Sequence, residues 1–341
     1  MRLSNLNPRL YPVEKLCRLL GVTRQAYYDR ISRDVRFSNK VQEEQVVAYI
    51  QEQRKKDPRL GINKIYIMSM KGGLPESCRV GRNKMYSIAS DNGLLVRETR
   101  KAAPRTTDSR HHLSKYPNLV ASFIPTAPNQ LWVSDITYLE LWLNDKEYVF
   151  CYVTIIMDAY SRMIKGWDVS DSLEASHALD ALKMAVESLG GEIPEGLIHH
   201  SDRGVQYASI LYVEYLRAHG IAISMTESGN PKENPMSERI NSTLKNELLL
   251  NNRFEALEAA RNAISEAIWF YNYERPHMSI DYLTPAEAEK RTGIIRKRWR
   301  SFRDEAIFRE LAKDAQKLMV KNADIEEVEG DMPFEVFLGL R

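Results

Sequence analysis

Three acids stand where ordinary structure gives little reason for them. Asp135 falls in the middle of an alternating segment, on the side shared with Leu131, Val133, Thr137 and Leu139. A lone ionised carboxylate among apolar neighbours is costly unless it is paired, hydrogen-bonded or bound to a cation. Asp202 follows a short apolar run within His200-Ser201-Asp202-Arg203-Gly204, where Gly204 permits a tight turn. Glu238 lies near the start of a helix opened by Asn234 as N-cap and Pro235 at the first helical position. A capping box from Asn234 requires an acid at 237, which is Ser237, so Glu238 projects beyond the cap. Lys245 comes seven residues later, two turns along the same face, within reach of a phosphate held by the acids. Carboxylates are the ligands that Mg2+ and Mn2+ prefer.

Two other chemistries are poorly served. His199, His200 and Ser201 lack the Gly-x-Ser-x-Gly elbow of a serine hydrolase. A zinc site needs more His or Cys at close spacing, and His111-His112 have no cysteine pair nearby. His200 is therefore expected to be structural rather than a ligand.

The elements that must position the acids begin at Asn129. Leu131 to Leu141 alternates as a strand, Tyr148 to Met157 is a second strand rich in Val, Ile and Tyr, and Ser161 to Val169 reads as a third. A helix follows from Leu173 to Leu189, then a strand at Gly196 to His200, a helix from Gln206 to His219 and a strand at Ile221 to Met225. A loop from Thr226 to Glu233 leads into the helix of Glu238. Three strands, helix, strand, helix, strand, helix is the order of a ribonuclease H-like α/β core, a mixed five-stranded sheet covered by helices.

The front of the chain reads as helical. Pro12 to Leu20 forms one helical pattern, Gly21 and Val22 make a turn, and Thr23 caps a second helix through Arg30, a helix-turn-helix outline. Arg24, Gln25, Tyr28 and Arg30 on that second helix can reach phosphates or base edges from a major groove, although a hairpin that only packs has the same pattern. Helices near Gly61 to Met70 and Val80 to Asn92 follow, with Arg79, Arg82 and Lys84 crowding the start of the later one. A segment rich in Arg, Lys, Pro and Thr, containing Arg100, Lys101 and Arg105, reads as a linker that tracks DNA. No sustained heptad is visible. The expected division is 1–96 helical, 97–128 linker, 129–292 core and 293–341 extension.

Charge is divided in the same way. Residues 1–130 hold 24 Lys and Arg against 11 Asp and Glu, a balance of +13, which leaves −11 for the rest of a chain whose total is +2. An excess of this size in one region suggests a polyanionic partner, most simply DNA. The three cysteines, Cys17, Cys78 and Cys151, are odd in number and widely spaced, as reduced structural thiols would be. No apolar stretch approaches the roughly 20 residues of a membrane span, and the N-terminus lacks the apolar segment of a secretory signal, so a cytoplasmic, nucleoid-associated protein is expected.

Several motifs together resemble one family. Trp132-x-x-Asp135-Ile136-Thr137-Tyr138, His200-Ser201-Asp202-Arg203-Gly204-x-Gln206-Tyr207, Gly229-Asn230-Pro231, Glu238-Arg239 and Thr243-Leu244-Lys245 are similar to the catalytic core of the integrase-like (DDE) transposases of bacterial insertion sequences. Thirty-five residues lie between Asp202 and Glu238, the spacing of that family. Tyr271-Asn272-x-x-Arg275-Pro276-His277 and Thr284-Pro285-x-Glu287 resemble its tail, and the latter also reads as a capping box. Glu233-Asn234-Pro235 departs from the family's usual Asp-Asn-Ala.

The resemblance implies a DNA transposase that cuts and joins strands at element ends. Two Mg2+ or Mn2+ ions would be bridged by Asp135, with Asp202 on one and Glu238 on the other. It further implies double-stranded DNA (element ends and target) as substrate, a homo-oligomer on DNA, and a protein from an upstream reading frame as a possible partner. The competing reading is a domesticated DNA-binding regulator that keeps the fold; three uncompensated acids favour the enzyme.

Overall fold

Residues 24–56 contain neither glycine nor proline, and in the computed structural model they form a single helix, α2 (Arg24–Lys56). The structure describes residues 12–96, 112–227, 234–250 and 252–313, apart from 303 and 311. The chain divides into two compact units, residues 1–102 with 246–251, and residues 103–245 with 252–341.

In the first unit, α1 (Val13–Leu19) turns through Gly21, whose φ of 64° suits glycine, into α2, capped by the Thr23 side chain accepting from the Ala26 amide. The expected end at Arg30 is corrected: nothing breaks the helix until Asp57-Pro58. Val46, Tyr49, Ile50 and Gln53 recur at helical spacing and are buried in its second half, a period too short to announce the whole helix. Two further helices, α3 (Ile62–Met68) and α4 (Arg82–Asp91), bury Ile62, Ile65, Met85, Ile88 and Ala89. Gly93, at φ 67°, follows α4 as its C-terminal stop.

The second unit carries β1 (Leu131–Trp142), β2 (Tyr148–Asp158), β3 (Ile164–Ser170), β4 (Ile198–Ser201) and β5 (Ala222–Met225). Their order is β3-β2-β1-β4-β5, with β1, β2 and β3 antiparallel and β4 and β5 parallel to β1. This is the mixed five-stranded sheet of the ribonuclease H-like fold. One sheet face packs Trp132, Ile156 and Leu197 against Ala178, Ala181, Leu182 and Ala185 of α5 (Ala175–Glu187) and Tyr212 and Leu216 of α7 (Ile210–Ala218). Burying each large apolar side chain contributes about 1.5–3 kcal/mol. Gly166 of β3 lets α5 approach, since a Cβ there would lie 2.0 Å from the Ala181 carbonyl oxygen.

The single helix expected over Gln206 to His219 is two, α6 (Val205–Ala208) and α7. Ser209 between them is extended (ψ 147°), and its hydroxyl caps α7 by accepting from the Tyr212 amide. Then come α8 (Pro235–Thr243), a π-helical turn over Leu244–Leu248, α9 (Leu257–Tyr273) and α10 (Pro285–Ala288). The tail motif fastens α9 to β3: the Asn272 side chain donates to the Ile164 carbonyl and accepts from its amide, both at 3.0 Å. Thr284 and Glu287 form the capping box.

Candidate carboxylate site

The register of β1 with β4 pairs Leu131 with Ile198 and Val133 with His200, so β4 ends level with the middle of β1. Asp202, just past that end, and Asp135 on β1 are thereby brought level with one another. Asp202 is held by its own turn, its Oδ1 accepting from the Gly204 amide at 2.9 Å. Gly204 has an ordinary φ of −65°, so the need for glycine here is space: a Cβ would sit 3.0 Å from Asp202 Oδ1 and 3.1 Å from Gln206 Oε1.

Glu238 is placed by α8. Asn234 occupies the N-cap position but its side chain does not cap; its Nδ2 donates to the Ser134 carbonyl at 3.1 Å, and its Oδ1 accepts from the Ser237 hydroxyl at 2.8 Å. The helix is thus tied to the strand residue before Asp135. Glu238 itself is exposed, and loss of hydration raises its pKa.

Asp135 is the electrostatic centre. Its Oδ1 accepts from the Ile136 amide at 2.9 Å and its Oδ2 from Asn241 Nδ2 at 2.8 Å. Burial of its carboxyl, followed by the negative charge of Asp202 and then of Glu238, pushes its pKa up to about 7 against the pull of those two hydrogen bonds. Two of the sequence-predicted acids, Asp202 and Glu238, therefore act on the third. Among the described residues, no group of three His, Cys, Asp or Glu side chains is gathered closely enough to hold a metal ion.

Lys245, in the π-helical turn, lies over the Tyr138 ring with Nζ 3.8 Å from its centroid, and burial lowers its pKa. Both histidines are structural in their contacts. His199 Nε2 meets the Tyr212 hydroxyl at 2.9 Å, and burial lowers its pKa to about 3; His200 Nδ1 meets the Ser224 hydroxyl at 2.9 Å.

The sequence reading missed Asn234 and Asn241 as partners of the site, and Ser134, whose hydroxyl bonds Tyr207 Oη and the Ile155 carbonyl, both at 3.0 Å. Their signal was an amide-rich turn where a buried helix face usually carries apolar residues.

Of the expected DNA contacts, Arg24, Gln25, Tyr28 and Arg30 are exposed on the first turns of α2. Arg82 and Lys84 are exposed on α4, Lys84 paired with Glu43 at 2.5 Å, and Arg79 Nε donates to the Leu74 carbonyl at 3.1 Å. Arg100, Lys101 and Arg105 lie outside the described residues, as do Gly229, Asn230, Pro231 and Glu233. After Gly293 the chain carries several basic residues that pair with acids, Lys297 with Asp304, Arg298 with Asp281 and Arg300 with Glu305. All three cysteines are free and buried, and among the described residues no helix is long and apolar enough to cross a membrane.

Residues 125–231 match an integrase core domain family, and residues 219–285 a second integrase core domain family. The chain is 30% identical over 286 residues to the transposase for insertion sequence element IS629 of Shigella sonnei, covering 82% of this chain and 92% of that protein. It is 33% identical over 284 residues to an uncharacterized 31 kDa protein of insertion element IS600 from the same species, covering 80% and 96%. A solved structure of the HTLV-2 integrase catalytic core domain in complex with magnesium is 21% identical at a TM-score of 0.38, over 49% of this chain and 99% of that one.

Proposed function

Because the chain belongs to the integrase-core transposases of bacterial insertion sequences, a family of DNA-cutting and DNA-joining enzymes, we propose that Asp135, Asp202 and Glu238 are its catalytic carboxylates. The observation that carries this reading is the state of Asp135, a carboxyl with two hydrogen-bond donors and two acidic neighbours that oppose its ionisation. A cation would stabilise the ionised form of such a group, and an all-oxygen donor set suits Mg2+ or Mn2+.

Asp135, Asp202 and Glu238 would be the carboxylates that hold such ions. When bound, a cation pair supplies a nucleophile at neutral pH and stabilises the attacking and leaving oxygens of an in-line displacement. No side chain then serves as nucleophile. In the first displacement a water oxygen attacks phosphorus and the element's 3′ oxygen leaves as a hydroxyl; in the second that hydroxyl attacks another phosphodiester and its bridging oxygen leaves. The protein holds the acids by Asn234, the Asp202 turn and the β1–β4 register.

The substrate is double-stranded DNA at element ends and target. Arg24, Gln25, Tyr28 and Arg30 would hold it in the helical region of residues 1–96, with residues 97–128 as a basic linker to the core of residues 129–292. One triad accommodates one scissile phosphate at a time, so joining two ends calls for a homo-oligomer on DNA.

The test uses the full chain and a duplex oligonucleotide bearing the element's end. Mg2+ is expected to support 3′ strand cleavage and EDTA to stop it, with Asp202→Asn and Glu238→Gln each inactive but shifting the duplex as wild type does. Cleavage by either variant at the wild-type rate overturns the assignment.

A further inference from the structure

The face that α8 turns toward β1 is polar. Asn234, Ser237 and Asn241 recur at helical spacing on either side of Glu238, and all three are buried, Asn241 being 8% exposed. A helix gains more by burying leucines than amides, unless each amide has a specific partner. Asn234 has two, the Ser134 carbonyl and the Ser237 hydroxyl. Asn241 spends its N–H on Asp135 Oδ2, while its Oδ1 is buried and has no hydrogen-bond partner among the described residues. A buried carbonyl oxygen left without a donor costs about 1–3 kcal/mol.

Residue type matters here. An acid at 241 would put a fourth negative charge beside Asp135, Asp202 and Glu238, and an apolar residue would leave Asp135 Oδ2 without its donor. An amide alone among side chains of this size gives Asp135 a donor and keeps a neutral acceptor beside it.

We infer that Asn241 is a positioning residue of the carboxylate site: its N–H fixes one oxygen of Asp135, and its buried Oδ1 accepts from a water in the hydration sphere of the bound cation. The inference rests on the carboxylate reading proposed above. Mg2+ dehydrates reluctantly and keeps several waters, each with protons to place, so a nearby acceptor lowers the cost of holding it. The two amides also explain why a partly exposed helix can aim Glu238: α8 is pinned to β1 four residues before the acid and three after it.

The experiment is calorimetric titration of the full chain with Mg2+ alone, with thermal melting in its presence and absence. Asn241→Leu removes donor and acceptor at similar volume and should weaken Mg2+ binding about 10- to 100-fold, with a smaller Mg2+-induced rise in Tm. Asn241→Asp keeps the shape, loses the donor and adds charge. It should move the other way, with a lower Tm without Mg2+ and a larger rise with it. Asn241→Ser is too short to reach Asp135 Oδ2, is expected to weaken Mg2+ binding in the same direction as Asn241→Leu, and decides the matter with Asn241→Asp if the leucine variant does not fold.

Wild-type affinity in Asn241→Leu, or a shift of Asn241→Asp in the same direction as Asn241→Leu, overturns the role of Asn241. So does wild-type affinity in Asn241→Ser. Asp135→Asn is titrated alongside. Lost Mg2+ binding in that variant keeps the carboxylate reading standing even where the Asn241 inference fails, whereas wild-type binding overturns both.

Discussion

Two acids lie three rungs apart on the β1–β2 ladder, Asp158 opposite Trp132 at one end and Asp135 opposite Ile155 in the middle, and their surroundings differ in kind. Around Asp158 the chain supplies donors. Its Oδ1 accepts from the Tyr160 amide at 3.0 Å, the Ser161 amide at 2.6 Å and the Ser161 hydroxyl at 2.8 Å, and its Oδ2 from the Asn129 amide at 2.7 Å. Burial raises its pKa, the bonds from Ser161 and Asn129 oppose the rise, and Glu289 adds to it. Around Asp135 there are two donors, and two more acids take the place of the rest. An acid surrounded by N–H groups organises a turn; an acid surrounded by acids is short of positive charge. Burial alone does not separate a structural carboxylate from a functional one, whereas the count of donors does.

The sharpest way to break this comparison is to make the same substitution at both sites. Asp135→Asn removes a cation ligand and is expected to lower Mg2+-dependent cleavage by about 10³-fold or more, since a ligand-held cation supplies several kcal/mol of charge stabilisation. Asp158→Asn should leave cleavage per folded molecule within a few-fold of wild type. Rates on an element-end duplex, normalised to the folded fraction from circular dichroism, make the contrast. Equal losses in the two variants would erase it.

Much of this was legible beforehand, for reasons that differ by element. The alternation of Leu131 to Leu141 and the β-branched run at Tyr148 to Met157 gave the ladder, because the period of a half-buried strand is written directly in the residues. Asp135 was conspicuous because it broke that pattern with a charge. The full length of α2 was hidden, since few of its residues between Arg30 and Val46 are large and apolar and the apolar period is weak there; the absence of Gly and Pro was the better signal. The break at Ser209 was hidden because serine is tolerated inside helices as well as at caps. Asn241 was illegible: its partner, Asp135, is 106 residues away, and only the β1–α8 packing reveals why an amide belongs there.

A second comparison concerns stability without metal. An acid whose folded pKa is about 7, against about 3.9 unfolded, binds more protons when native between those values, so stability falls as pH rises from about 4 to 7 and the full penalty remains above 7. The shift corresponds to at most about 4 kcal/mol, and partial solvent access to Asp135 brings the expected figure nearer 2 kcal/mol. Asp135→Asn abolishes the charge, so it should stabilise the metal-free protein by about that amount at pH 8 and by little at pH 4. Urea denaturation in EDTA at the two pH values reads this directly. A gain equal at both would mean that packing, not ionisation, is responsible.

The smallest effect is also the most discriminating, because burial and hydrogen bonding pull Asp158 in opposite directions. Its raised pKa means that ionisation within the fold is opposed, so loss of the charge should by itself be favourable, as at Asp135. Geometry says otherwise. In Asp158→Asn, Oδ1 can keep Tyr160 and Ser161, but the amide nitrogen then faces the Asn129 amide, donor against donor, at a site with no solvent exposure. Asn129 is held at a φ of 60°, so its backbone has little freedom to turn away. A buried N–H left unpaired costs about 1–3 kcal/mol, more than relief of the opposed charge returns when four donors have already compensated it. Asp158→Asn should therefore destabilise the protein by about 2 kcal/mol at pH 8, opposite in sign to Asp135→Asn under the same conditions. Stabilisation by both substitutions would show that burial governs both acids, and the distinction drawn from their donors would fall.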